Sequence, residues 1–90
     1  MQDPRAFCRA VMHDYERQWS RASGHGVRHP LRLKMEKLQT WCDEACDAAD
    51  FEARLLEAER SDDIGLALMA EELLPLWEGL QRRAALTTLP

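Results

Sequence analysis

Residues 31–49 read LRLKMEKLQTWCDEACDAA. Within this stretch Leu31, Met35, Leu38, Cys42, Ala45 and Ala49 recur at alternating steps of four and three. Such a seven-residue period places one narrow apolar seam along a helix, the pattern by which one helix packs lengthwise on another. The spacing therefore predicts a helix over the whole stretch, opened by Pro30, with its side chains shrinking toward Ala45, Ala48 and Ala49. Small residues there allow a neighbouring helix to come close. A break near Asp47–Asp50 is the alternative for its far end.

The same periodicity extends outward in both directions. On the N-terminal side Phe7, Val11, Tyr15 and Trp19 share a helical face. Asp3 is a good N-cap, and Pro4 suits a first helical position, where the missing N–H would have had no partner anyway. Gly24 and its neighbours end this helix, and residues 23–30 read as a loop. On the C-terminal side Phe51, Leu55, Leu56 and Ala58 continue helically. Ser61, Asp62 and Asp63 interrupt and offer three credible caps for a last helix to about Ala85. Its expected face is Leu66, Met69, Leu73, Leu76 with Trp77, then Leu80 and Ala84. Pro75 falls inside that pattern and predicts a kink or break. The tail Thr87-Thr88-Leu89-Pro90 is expected to fray.

With 90 residues the chain has room for one domain. Ala, Leu, Glu and Arg abound while Val, Ile, Thr and Tyr are scarce, so strands are disfavoured. The expected fold is all-α: one small antiparallel bundle of three or four helices spanning residues 1–90. No run approaches the ~18 apolar residues that a membrane span needs. Asp3, Pro4 and Arg5 stand where a secretory leader would be apolar. Three cysteines cannot all pair within one chain, and free thiols in a reducing cytoplasm are the simplest expectation.

Charge is divided unevenly. Residues 1–40 hold eight Lys and Arg against four acids, and residues 41–90 hold four against twelve. Two readings follow: the halves pair with each other, or the basic half meets phosphate or an acidic partner. The basic candidates are Arg21, His25, Arg28, His29, Arg32, Lys34 and Lys37, around a helix start whose dipole also favours anions. The acidic half reads first as a solvated face and second as a surface for a basic partner. His25 and His29, with Cys42 and Cys46, have the residue types for a tetrahedral zinc site, though in reversed order relative to the familiar finger. Cys42 also fits the apolar seam, where a thiol packs as a small hydrophobe. A third reading is thiol sensing, with Cys8 pairing to either Cys42 or Cys46. Catalysis finds no support: His13-Asp14 and Glu71-Glu72 are sequence neighbours that diverge around a helix, and Ser20 and Ser23 lack any nucleophile motif. No cofactor is expected.

Trp41, the run Leu55-Leu56-Glu57-Ala58-Glu59, the break Ser61-Asp62-Asp63, then Ala70-Glu71-Glu72-Leu73 and Arg82-Arg83-Ala84-Ala85-Leu86 follow one another in the C-terminal half. The stretch from Trp41 to Leu89 thereby resembles the helical N-terminal domain of bacterial class-I peptide-chain release factors. Pro75 interrupts a helix that is continuous in that family. No Gly-Gly-Gln tripeptide occurs, so the resemblance carries no peptidyl-tRNA hydrolysis; it implies a ribosome- or factor-binding module.

The functional expectation is a non-enzymatic interaction module, an adaptor, inhibitor or regulatory subunit, that grips a larger protein. Leu76, Trp77 and Leu80 beside Pro75 are its expected docking residues, and a homodimer is a further expectation. A nucleic-acid- or ribosome-binding accessory protein and a zinc- or thiol-based sensor are the alternatives.

Overall fold

The computed structural model describes residues 3–87, without the side chains of His25 and Thr87. It holds four helices and, among the described residues, no strand: α1 Pro4–Arg21, α2 His25–Glu44, α3 Ala48–Glu59 and α4 Ile64–Thr87. Short turns fold α2 back on α1 and α4 back on α3, giving two helical hairpins. No described helix is long and apolar enough to cross a membrane.

Side-chain caps set three of the four helix starts. The Asp3 carboxylate accepts the Arg5 N–H at 2.8 Å, with Pro4 at the first position of α1. Asp47 accepts the Asp50 N–H at 2.8 Å and opens α3. At α4 the choice among three candidate caps falls on Asp63, which accepts the Leu66 N–H. Each such bond satisfies a donor that the helix itself leaves orphaned.

Two boundaries correct the sequence expectation. The loop predicted over residues 23–30 is confined to residues 22–24, and Pro30 lies inside α2 instead of opening it. Gly24, at φ +95°, takes the left-handed backbone that makes so tight a connection possible. Pro30 forfeits only the hydrogen bond its N–H would have made to the Gly26 carbonyl, at an exposed position near the helix start. The other concerns the end of the seam, where the alternative of a break replaces the continuous helix. α2 stops at Glu44, Ala45 turns extended, and Ala49 belongs to α3, where it is exposed. Arg54 fastens this turn, donating to the Glu44 carboxylate at 2.9 Å and to the Asp50 carboxylate at 3.3 Å. Asp50 also accepts the Cys46 N–H, and that bond first, with Arg54 in support, holds its carboxyl below the usual carboxylate range. α4 itself runs unbroken through Pro75, whose ring sits on the exposed side.

The core is one cluster fed by every helix: Phe7, Val11 and Tyr15 from α1, Leu31, Leu38 and Trp41 from α2, Phe51 and Leu55 from α3, and Met69, Leu73 and Trp77 from α4. At its centre the rings of Phe7, Phe51 and Trp77 meet mutually, with centroids 4.9–5.8 Å apart in edge-on and tilted arrangements. The Trp77 indole N–H donates to the Glu52 carboxylate at 3.2 Å, so its single polar atom is not stranded.

The simplest cysteine expectation, free thiols, is overturned here in favour of the alternative that pairs Cys8 with Cys42 or Cys46. Cys8 and Cys42 are joined by a disulfide, their Cα atoms 6.5 Å apart, and only Cys46 is free, exposed just beyond α2. Cys8 and Cys42 face each other across the α1–α2 interface within the span a bridge requires. The bridge links positions 34 residues apart, and closing a loop of that size stabilises by about 4 kcal/mol in the chain-entropy account. Reduction with a small thiol is therefore expected to lower the thermal midpoint by roughly 15 °C or more. A midpoint unmoved by reduction contradicts the bridge.

Candidate docking face

α4 is the most apolar of the four helices and the least one-sided. At about 100° per residue, Met69, Ala70, Leu73, Leu74 and Trp77 cluster on one side, and all are buried. Yet Leu68, Leu76 and Leu86 stay 53%, 58% and 69% exposed. With Glu72, Pro75, Gly79 and Arg83 they form a second stripe at steps of three and four along the outer side. A helix inside a core is apolar all round, and one on a surface carries a single apolar stripe. α4 is an outer helix with two.

The stripe is continuous with a groove between α1 and α4, which touch each other only sparingly. The groove has a volume of about 480 Å³. Phe7, Val11, Leu73, Leu76 and Leu80 supply its apolar lining, and Asp14, Arg17, Glu72 and Arg83 its charged residues. Arg17 pairs with Asp14 at 3.2 Å.

Two of the three predicted docking residues, Leu76 and Leu80, line this groove. The third, Trp77, is fully buried and belongs to the core, which corrects its assignment to the docking surface. One residue along a helix is a turn of about 100°, enough to send Leu76 outward and Trp77 inward. Leu68, Glu72, Gly79, Arg83 and Leu86, which complete the exposed stripe, were not among the docking residues singled out from the sequence. Their signal was the outer period of α4, hidden because the inner period was read as the helix's only face.

Tyr15 also lines the groove, but its residue exposure is only 4% and its hydroxyl has no hydrogen-bond partner. Burial first, then the nearby carboxylates of Glu72 and Asp14, push the phenol up to about 12.

The basic residues do not assemble into one open patch. Arg28 lays its guanidinium over the Trp19 ring at 5.0 Å. Arg32 pairs with Glu36 at 3.2 Å, and Lys34 reaches Glu72 on α4 at 3.4 Å. Lys37 sits over Trp41 at 5.7 Å. Arg21 and His29 are exposed. Among the described residues, the Lys34–Glu72 contact is an exposed bridge between the basic and the acidic half. Of the His and Cys set, Cys42 is taken by Cys8. Among the described residues no three His, Cys, Asp or Glu side chains stand together as a metal site would need.

No family model, no curated protein and no solved structure matches this chain.

The single tyrosine makes one element of this geometry directly measurable. Its phenolate absorbance is expected to titrate near pH 12 in the folded protein and near 10 after unfolding. The folded state keeps the proton longer, so stability falls as pH rises from 10 toward 12. A folded-state midpoint near 10 contradicts the buried hydroxyl.

Proposed function

We propose that the protein is a non-enzymatic helical interaction module that binds and modulates a larger protein or complex. Its binding face is the outer side of α4 with the adjoining groove, and Leu76 and Leu80 are the apolar contacts. The observation that carries this reading is the second apolar stripe on α4. Leu68, Leu76 and Leu86 remain exposed although the helix has already given a full face to the core. Extended apolar surface rimmed by charge is the usual mark of a binding face, and an exposed groove between helices suits an amphipathic helix from a partner. A ribosome- or factor-docking role, as the release-factor resemblance implies, is a special case of the same reading.

The nucleic-acid alternative draws on Arg21, Arg28, His29, Arg32 and Lys34. It is the weaker reading because Arg28, Arg32 and Lys34 already have partners within the chain. The cytoplasmic setting expected from the sequence also sits poorly with the Cys8–Cys42 bridge, since such bridges are rare where thiols are kept reduced.

The test is affinity capture from the native host at low and high salt, with wild type and Leu76→Glu compared. Leu76 is exposed, so the substitution is expected to change stability by no more than about 0.5 kcal/mol. It is expected to weaken partner retention by roughly tenfold or more. Retention by wild type should survive high salt. Retention that collapses with salt and ignores Leu76→Glu would favour the phosphate-binding alternative.

A further inference from the structure

We propose that the outer face of α4 is covered, in the free protein, by a second copy of this chain, its α4 lying antiparallel and related by a two-fold axis that passes between positions 77 and 78. The inference rests on the reading of that face as a binding surface and names its occupant. A larger partner competes with the second copy for the same stripe.

The register follows from the stripe itself. In a two-fold antiparallel helix pair, each residue faces the one whose number completes a fixed sum. With the axis between positions 77 and 78, Glu72 faces Arg83 of the other copy, and Leu76 faces its Gly79. By symmetry each contact is made twice. One register thus matches the two charged residues of the stripe with each other and sets its central large side chain over its one residue without a side chain. The same register brings Leu80 opposite Pro75 and leaves Leu68 and Leu86 one residue apart across the interface. Shifting the axis by one position in either direction separates both principal pairs at once.

The monomer leaves Arg83 and Gly79 unexplained. Arg83 is exposed and, among the described residues, has no ion pair. Glu72 lines the same groove, but the two lie eleven residues apart on one helix, about 16 Å, too far to meet within a chain. Glu72 does hold Lys34 at 3.4 Å, and a second cation from the facing copy adds to that pair without displacing it. Gly79 weakens a helix interior relative to alanine. Yet a Cβ built there meets nothing within 4 Å, so the fold of one copy does not require a glycine. Close approach of another helix does, and Leu76 is the side chain that the register brings there. The face is self-complementary in charge and in shape, as a two-fold interface must be.

The test is sedimentation equilibrium of the full chain, from micromolar to near-millimolar concentration, on wild type, Glu72→Arg, Arg83→Glu and the double exchange. Circular dichroism verifies that each variant keeps its helices. Wild type is expected to dimerise. Each single exchange sets like charges against each other twice per dimer and is expected to weaken association on the order of tenfold or more. The double exchange restores opposite charges across the axis and is expected to return to near wild-type association. A wild type that stays monomeric throughout overturns the proposal. So does a dimer indifferent to both single exchanges, which lies on another face, and so does a double exchange that fails to restore association. If wild type is monomeric while Leu76→Glu still abolishes capture of a larger partner, the second copy is refuted and the binding face stands. If association behaves as expected and capture does not depend on Leu76, the larger partner is the part that falls.

Discussion

Phe7, Phe51 and Trp77 come from three different helices and meet ring against ring at the centre of the molecule. Each hairpin is joined internally by a short turn, but nothing covalent sets the first hairpin against the second apart from the brief connection at residues 45–47. The ring cluster supplies that docking. It fixes which side of α4 turns inward, because Trp77 can reach Phe7 and Phe51 from only one helical face. Once Trp77 is inward, Met69, Leu73 and Leu74 follow it into the core, and the stripe through Leu68, Leu76 and Arg83 has to face out. The exposed face is thus a consequence of the core. A domain of this size buries only ~60–65% of the surface of its unfolded chain, and the exposed apolar surface is richest on α4, with Val27 and Leu33 on α2 and Leu56 on α3 adding to it.

The disulfide acts on the other half of the molecule. Cys8 sits among the core residues of α1 and Cys42 on the inner side of α2, so their bridge holds the first hairpin shut where the α1–α2 turn cannot. Arg54 does a comparable task at the α2–α3 turn, where it gathers Glu44 and Asp50. α1 and α4 touch mainly through Phe7 and Trp77, and beside that contact the groove opens.

Much of this was legible in the sequence, for local reasons. The starts of α1 and α4 follow from Asp3-Pro4 and the Ser61–Asp63 run, because capping is a matter of a few adjacent residues. The all-α class follows from helical spacing and from the scarcity of β-formers. What failed was long-range or conditional. A sustained seven-residue period from Leu31 to Ala49 reads as one helix, but Asp47 capping α3 and Arg54 reaching Glu44 break it, and Arg54 is too distant to enter a local pattern. Pro30 reads as a helix opener until Gly24 is seen to make the turn earlier. The Cys8–Cys42 pairing depends on which faces of α1 and α2 meet. The outer side of α4 was half legible: Leu76 and Leu80 do line the groove, whereas Trp77, turned about 100° from Leu76, points into the core.

α4 gives its inner face to the core, and on the proposed reading its outer face is covered on association. Leucine-methyl NMR with a soluble paramagnetic probe, recorded on the full chain over a range of concentration, tests it most directly. Leu73 and Leu74 should be shielded at every concentration. Leu68, Leu76 and Leu86 should be strongly broadened in dilute solution and become shielded together as concentration rises. If Leu73 is broadened like Leu76, or if the three outer leucines are shielded in dilute solution, α4 does not have a buried inner face and an open outer one.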